Sequence, residues 1–207
     1  MIPQRLRLYL ILGTSSVLGI AAGWAVSNSA TPAQTLPTVT ESTPYQLAQA
    51  TPSPTPTPAP PHELSIPALG ITAPVEHVGL EPDGRMASPA NPDNVAWYEL
   101  GSRPGTLGNA VIAGHLDSET GPAVFYKVDT LMPGDRITVT DADDRQHTYT
   151  VQSKQTYATA EFPMDEVFGP TSVPHLNLIT CGGLFDNQTK EYSHRTVIYA
   201  TLDSSDA

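Results

Sequence analysis

The sequence has 207 residues and a net charge of −11, with 21 acidic residues against 10 lysines and arginines. The imbalance lies in residues 63–207, which hold 8 basic and 20 acidic residues, a balance of −12. A surface this acidic argues against nucleic acid as a partner, because binding needs basic side chains that displace phosphate counterions, and it offers no polybasic patch for anionic lipid.

An uncharged segment near the amino terminus predicts a membrane anchor. Residues 8–26 carry no charge and follow Arg5 and Arg7. A helix of this length comes close to the thickness of the hydrocarbon core at about 1.5 Å per residue. The positive flank predicts that residues 1–7 stay in the cytoplasm and that the rest is extracytoplasmic, in a single-pass protein of the cell membrane. A signal peptide that is removed after export is the alternative.

Residues 27–62 predict a linker rich in proline and threonine. They contain nine of the 21 prolines, and within residues 51–61 proline almost strictly alternates with other residues. Proline fixes φ and has no amide donor, so this segment favours an extended polyproline geometry. At about 3.1 Å per residue, residues 51–61 would span roughly 35 Å. They would serve as a stalk or as a plain disordered tether.

Residues 63–207 predict a mainly β domain. Short alternating segments broken by proline and glycine begin at Glu63–Pro67 and Gly70–Val75. Two further segments, Arg136–Thr140 and His147–Gln152, predict a hairpin. Many short strands without a long helical period predict a closed or nearly closed β-barrel with short helices.

The segments between these strands predict short helices and turns. Glu161–Phe168 predicts a short helix or 3₁₀ turn, and Gly121-Pro122 could start a helical turn because proline suits the first helical position. The turn of the predicted hairpin carries Asp141, Asp143 and Asp144. Spaced carboxylates can bind calcium, although a solvated hairpin tip is the simpler interpretation, since the turn lacks a glycine and a terminal glutamate.

The only cysteine follows an apolar segment. The alternation in Leu176–Thr180 predicts a half-buried strand. Gly182 and Gly183 permit a sharp turn, so we expect the strand to end there, with Cys181 at the lip of a sheet. A lone cysteine excludes an intramolecular disulfide, and it can also be a small apolar residue that fills a core.

Two other polar residues occupy comparable positions. The apolar segment Val111–Gly114 predicts a strand that ends at His115, and Arg195 precedes a predicted strand at residues 196–200. A thiol, an imidazole and a guanidinium at strand ends can supply a nucleophile, a proton shuttle and a partner for an oxyanion. Because the thiolate is the attacking species, Cys181 needs such neighbours.

Four short motifs surround these residues. They are Gly-His-Leu-Asp at residues 114–117, Gly-Pro-Ala-Val-Phe at 121–125, Asn-Leu-Ile-Thr-Cys at 177–181 and Cys-Gly-Gly-Leu-Phe-Asp at 181–186. In this combination the sequence resembles the sortases, cysteine transpeptidases of bacterial surfaces, and in particular their class F subgroup. The resemblance covers roughly residues 63–202, with histidine, cysteine and arginine in the order of the family, and with asparagine where the Thr-Leu-x-Thr-Cys motif begins with threonine.

The resemblance implies an eight-stranded barrel with its cleft at the ends of two neighbouring strands. It implies that Cys181 attacks a Leu-Pro-x-Thr-Gly-like sorting signal on an exported protein and passes the acyl group to an amine acceptor of the cell envelope. On this view His115 transfers protons and Arg195 stabilises the oxyanion. Thr180 and Asp117 are candidates for supporting roles, Asp117 by orienting the histidine. Simple strand packing would explain Thr180 as well, and a loop carboxylate beside a turn would explain Asp117.

Other functions remain open or are disfavoured by the residues. A peptidase that only hydrolyses, or a non-catalytic tethered β-barrel that binds a ligand, would fit the same barrel. We expect no cofactor and no metal, because the six histidines lack zinc spacing and no glycine-rich phosphate loop precedes a helix. Papain-like hydrolases place the cysteine before the histidine, and the Ser-His-Gly-Cys motif of the L,D-transpeptidases is absent.

Overall fold

The structure is a computed structural model and describes residues 57–204. The predicted tail at residues 1–7, the predicted anchor at 8–26 and most of the predicted linker at 27–62 lie outside the described residues. Every helix in the described part of the chain is too short or too polar to span a lipid bilayer.

Ten strands and a few short helices make up the described residues. The strands are β1 (Pro61–Ile66), β2 (Ile71–Val78), β3 (Val95–Tyr98), β4 (Gly108–Gly114), β5 (Asp117–Ser118), β6 (Gly121–Pro122), β7 (Arg136–Asp141), β8 (Gln146–Ala158), β9 (Pro174–Asp186) and β10 (Glu191–Leu202). The one α-helix in this part of the chain is α1 (Met164–Phe168), and 3₁₀ helices span Pro67–Leu69, Val128–Thr130 and Thr159–Glu161.

Eight of the strands close into one barrel in the order β1-β2-β3-β4-β9-β10-β8-β7. The pairs β2–β3 and β4–β9 are parallel and the other pairs are antiparallel. The mainly β class, the closed eight-stranded barrel and the short helices predicted from the sequence are therefore confirmed. The short strands β5 and β6 form a separate two-stranded sheet.

The barrel interior is filled by one face of each strand. Alternation along the strands buries side chains that include Leu64, Ile112, Ile137, Leu178 and Ile198, each with no exposed surface. Removing such apolar area from water contributes roughly 25 cal/mol per Å². A second apolar cluster lies outside the barrel wall, where α1 packs on β4, β9 and β10.

The glycines after Cys181 do not end the strand, contrary to the prediction. β9 continues to Asp186 because β10 begins early, at Glu191, and pairs with it. Gly183, at φ 77°, and Leu184 together face the single residue Ser193 in a β-bulge. A bulge with glycine in the left-handed region absorbs the extra residue while the pairing continues.

The helical turn predicted at Gly121-Pro122 is also wrong. These residues form β6 and pair with β5, and Gly121 has φ 133°, which no helix allows. The helical segment starts later, as the 3₁₀ helix Val128–Thr130. The hairpin predicted from Arg136–Thr140 and His147–Gln152 is confirmed, with its second strand extended to Ala158.

The acidic turn of this hairpin is held by its own backbone. The Asp141 carboxylate accepts hydrogen bonds from the N–H groups of Asp143 and Arg145 at 2.9 and 3.0 Å, and from His147 Nε2 at 3.1 Å. These bonds stabilise a tight turn. Among residues 57–204, no group of three or more potential ligands is arranged to hold a metal ion.

Candidate active site

The three candidate catalytic residues predicted from the sequence line one cleft. His115 follows β4, Cys181 lies in β9 and Arg195 lies in β10, and all three line a cleft of about 870 Å³. Cys181 and Arg195 stand directly opposite each other in the β9–β10 ladder. Residues far apart in the sequence therefore meet because β4, β9 and β10 are neighbours in the barrel.

The backbone around His115 is packed against the segment that follows it. The Phe125 N–H donates to the carbonyl of His115 at 2.9 Å. The Phe125 ring covers Gly114 so closely that a Cβ there would lie 2.4 Å from the ring. Only glycine fits this approach, and it fixes where the strand delivers the histidine.

The imidazole of His115 has a defined orientation. Its Nε2–H donates to the carbonyl oxygen of Pro89 at 2.9 Å. A carbonyl can only accept, so the proton of the neutral ring is on Nε2 and the lone pair is on Nδ1. Among the described residues, no hydrogen bond joins His115 to Cys181, so Nδ1 is available to exchange a proton.

The thiol of Cys181 is half-buried, and its surroundings favour the protonated form. Burial raises the pKa of Cys181, and the positive charge of Arg195 opposes this effect. The carboxylates of Asp117 and Glu191 raise the pKa further. The resting side chain is therefore a thiol at neutral pH, and formation of the thiolate needs a proton acceptor.

The guanidinium of Arg195 is held by one of its nitrogens. Nη1 donates to Thr159 Oγ1 at 3.2 Å, to the Tyr192 carbonyl at 3.0 Å and to the carbonyl of His194 at 2.9 Å. No described residue accepts a hydrogen bond from Nη2 or Nε. These N–H groups can donate hydrogen bonds to a negatively charged atom in the cleft. Thr159 could not be predicted from the sequence, because its contact with Arg195 joins residues 36 positions apart.

Asp117 contacts a tyrosine and not the histidine that it was a candidate to orient. Its carboxylate accepts a hydrogen bond from the Tyr192 hydroxyl, and no described bond joins it to His115. This hydrogen bond raises the pKa of Tyr192 to about 12. Asp117 thus ties the loop after β4 to the β9–β10 hairpin and acts on Cys181 through its charge.

Thr180 couples the two strands that carry the histidine and the cysteine. It is buried, and its Oγ1 donates to the carbonyl of Gly114 at 2.9 Å. The Thr180 hydroxyl thus joins β9 to β4 next to the residues that carry the thiol and the imidazole.

Two segments of chain form walls of the cleft. One is the loop of residues 81–89 between β2 and β3, and the other includes Phe162, Met164 and Phe168 around α1. Arg85 in the loop forms ion pairs of 2.7 Å with Asp83 and with Glu191 at the start of β10.

The asparagine that departs from the sortase motif anchors one of these walls. Asn177 is fully buried, and its Nδ2 donates to the Val167 carbonyl at 2.9 Å and to Asn109 Oδ1 at 3.2 Å. Asn109 in turn donates to the carbonyls of Gly169 and Glu166 at 2.8 and 3.2 Å. The pair thus fastens α1 to β4 and β9. Asn109 was not among the residues predicted from the sequence. The signal that could have indicated it is a polar residue at the start of an apolar strand.

A family model described as the Sortase domain matches residues 64–203. No curated protein matched the chain.

Solved structures that are similar to this chain include sortases. Sortase C1 from Streptococcus agalactiae is 19% identical with a TM-score of 0.54 and covers 69% of this chain and 66% of its own. Sortase A from Corynebacterium diphtheriae is 19% identical with a TM-score of 0.55, covering 71% of this chain and 62% of its own. Sortase C-1 from Actinomyces oris is 20% identical with a TM-score of 0.55, covering 69% and 71%. The chain thus spans slightly less than two thirds of the length of the first two, and at these identities the likeness shows the fold.

Proposed function

Because the chain belongs to the sortase family, we propose that it is a cysteine transpeptidase that cleaves a Leu-Pro-x-Thr-Gly-like sorting signal through a thioacyl enzyme. The observation that carries the proposal is the meeting of His115, Cys181 and Arg195 in one cleft, with the thiol and the guanidinium directly opposite each other in a strand pair. The chemistry follows from what each group can do in that arrangement.

The first step forms the bond between sulfur and carbon. His115 accepts the thiol proton on Nδ1, since Nε2 is already protonated and donates to Pro89. The Cys181 sulfur attacks the carbonyl carbon of the scissile peptide, and the carbonyl electrons move onto its oxygen. The donors of Arg195 that have no described partner stabilise this oxyanion.

The second step breaks the peptide bond. The oxyanion collapses, the carbon–nitrogen bond breaks, and the imidazolium of His115 gives its proton to the leaving amine. A thioester on Cys181 and a neutral His115 remain. The proton that His115 took from the thiol thus leaves on the departing amine.

The third step transfers the acyl group. An amine attacks the thioester carbon, His115 takes a proton from that amine, and the carbon–sulfur bond breaks as the new amide forms. The released thiolate recovers its proton from His115. Water competes for the same thioester, so aminolysis prevails only where the cleft holds the amine in line with it.

The partners in this proposal are exported proteins that carry a sorting signal and an amine acceptor of the cell envelope. The motifs at residues 114–117, 121–125 and 181–186 support a class F assignment as part of the same proposal.

Membrane anchoring through residues 8–26 is part of the proposal as well. The chain enters the barrel at the end where β4 and β9 begin, since the Arg103 side chain before β4 donates to the Pro58 carbonyl at 3.1 Å. His115 and Cys181 lie towards the other ends of those strands. Protease added to intact protoplasts should remove the barrel, and a protected barrel would contradict an anchored barrel on the extracytoplasmic side.

Product analysis tests the proposed reaction. A fluorescent Leu-Pro-x-Thr-Gly peptide is incubated with the full-length protein and graded amounts of a glycyl peptide. Ligated product should grow with amine at the expense of free acid, and Cys181→Ala should form neither. Free acid alone across a varied panel of amines would identify a cysteine peptidase. No product from any signal peptide, together with slow alkylation of Cys181, would favour a binding module.

A further inference from the structure

A carboxylate on β2 holds the turn that precedes β3. Glu76 Oε2 accepts the Ala90 N–H at 2.7 Å, and Oε1 accepts the Asn91 N–H at 3.2 Å and the Asn94 side-chain amide at 2.9 Å. The Ala90 N–H and the Asn94 amide lead the contacts that hold the pKa of Glu76 below its ordinary value. The carboxylate is therefore ionised at neutral pH.

This turn begins at the residue that holds the proposed base. Pro89 is buried and immediately precedes Ala90, and its carbonyl accepts the Nε2–H of His115 at 2.9 Å. The other side of the turn is fixed as well, since the Val124 N–H donates to the Pro92 carbonyl at 3.0 Å. A continuous set of hydrogen bonds therefore connects Glu76 to the imidazole.

These three hydrogen bonds to Glu76, which we call the clamp, require a carboxylate. Three N–H donors converge on two oxygens, and a carboxylate can accept all of them because both of its oxygens are acceptors. An amide would offer one oxygen and turn an NH₂ group towards donors. Glu76→Gln is therefore close in volume to the native residue but opposite in hydrogen-bonding character on one side.

We propose that Glu76 is a positioning residue for His115. By fixing the turn, it holds the Pro89 carbonyl against Nε2, and this keeps the proton on Nε2 and presents Nδ1 to the cleft. The inference rests on the proposed function for the role of His115 in proton transfer. Glu76 itself touches no reacting atom. It acts through Ala90 and Pro89, and the positive charge of a protonated His115 also favours the ionised carboxylate.

The tautomer of His115 tests the inference without turnover. Nitrogen NMR of the full-length protein labelled with ¹⁵N-histidine should show a protonated Nε2 and a bare Nδ1 for His115. In Glu76→Ala and Glu76→Gln these signals should move towards the average of two tautomers, while those of His147 stay in place. Asn94→Ala removes one donor of the same clamp and should cause a smaller change in the same direction.

Kinetics supply the second readout. Loss of orientation at a proton-transfer group should lower kcat about 10- to 100-fold, with little change in the KM for the peptide. Glu63→Gln is the matched control, because this half-buried glutamate lies on the neighbouring strand β1 and its side chain has no hydrogen bond in the described part of the chain. It should leave both readouts unchanged.

The outcomes separate the two claims. An unchanged His115 spectrum and unchanged kcat in both Glu76 variants would overturn the inference. A wild-type protein that transfers no acyl group would count against the proposed function, whereas a tautomer that depends on Glu76 would still support the positioning of His115. A variant that loses its folded circular-dichroism spectrum is replaced by Asn94→Ala, for which an unchanged tautomer would also overturn the inference.

Discussion

The Thr180 hydroxyl donates a 2.9 Å hydrogen bond to the Gly114 carbonyl, and this bond joins the residue before Cys181 to the residue before His115. The parallel pairing of β4 with β9 ends one position earlier, at Ala113 and Ile179. A side chain thus replaces the next rung of the ladder. The positions of the proposed nucleophile and base relative to each other depend on this rung.

The first prediction concerns this bond. Thr180→Val keeps the β-branched shape but leaves the Gly114 carbonyl without its donor, which should lower the free energy of unfolding by about 1–3 kcal/mol. The loosened alignment of His115 and Cys181 should also reduce kcat about 10-fold. Urea unfolding and peptide cleavage measure the two effects. Thr180→Ser retains the hydroxyl and is the control, and equal behaviour of the two variants would contradict the coupling.

The second prediction concerns the charge around the thiol. Asp117→Asn removes a negative charge that raises the pKa of Cys181, while its amide oxygen can still accept from Tyr192. The thiolate should then form at lower pH. The rate of alkylation by iodoacetamide, followed against pH, should rise at lower pH than in the wild type.

Glu119→Gln is the matched control for this measurement. Glu119 is exposed in the same loop, and its charge is not among the influences on Cys181. Identical alkylation profiles for Asp117→Asn and the wild type would show that Asp117 does not act on the thiol.

The third prediction concerns the wall built on α1. Asn177→Thr restores the usual residue of the family motif, but a threonine hydroxyl is too short to reach both the Val167 carbonyl and Asn109. We expect a loss of about 1–3 kcal/mol in the free energy of unfolding and a higher KM for the peptide, because Met164 and Phe168 line the cleft. Hydrogen exchange of residues 164–169 should become faster.

The control for this variant is Asn187→Thr, at the exposed tip of the β9–β10 hairpin. It makes the same chemical change without contact to α1. Protection of residues 164–169 that is as strong in Asn177→Thr as in Asn187→Thr would mean that the asparagine pair does not hold the helix.

The fourth prediction concerns stability in acid. Although burial opposes ionisation, the hydrogen bonds from His147, Arg145 and Asp143 hold the pKa of Asp141 below its ordinary value. A depressed folded pKa stabilises the fold above the unfolded value of about 3.9, and this contribution is lost as the pH falls through the folded pKa. Asp141→Asn should therefore weaken the fall in unfolding free energy below about pH 4.

Denaturant unfolding at a series of pH values measures this slope. Asp143→Asn changes an exposed carboxylate in the same turn and serves as the control. A slope for Asp141→Asn equal to that of the wild type would show that the buried carboxylate does not couple stability to pH.

Much of the fold and the core of the site could be predicted from local patterns. Alternating apolar residues and turn signals are local features, so they predicted a closed or nearly closed barrel with short helices. His115, Cys181 and Arg195 follow the order of a known family. His115 directly follows β4, whereas Cys181 and Arg195 lie within β9 and β10, and the barrel brings all three to one cleft. Their catalytic roles stay predictions.

The remaining features depend on contacts that no local pattern reveals. β9 passes through its glycines because β10 pairs with it beyond Cys181, and a bulge at Gly183 accommodates the mismatch. Asp117 contacts Tyr192, which is 75 positions away. The link between Glu76 and His115 depends on hydrogen bonds in the folded turn before β3, which no local sequence pattern indicates.

The intact mass of the protein with a trapped substrate tests the central claim, that Cys181 is the nucleophile of a thioacyl mechanism. The full-length protein is mixed with Leu-Pro-x-Thr-Gly peptides without an acceptor and quenched in acid. The wild type should gain the mass of the acyl fragment at Cys181 and lose it when a glycyl peptide is added.

His115→Ala and Arg195→Lys should form little adduct, the latter because a point charge does not reproduce the guanidinium fork. Cys181→Ala should form none while it retains a folded circular-dichroism spectrum. Peptide cleavage at a near-normal rate by Cys181→Ala would contradict the account.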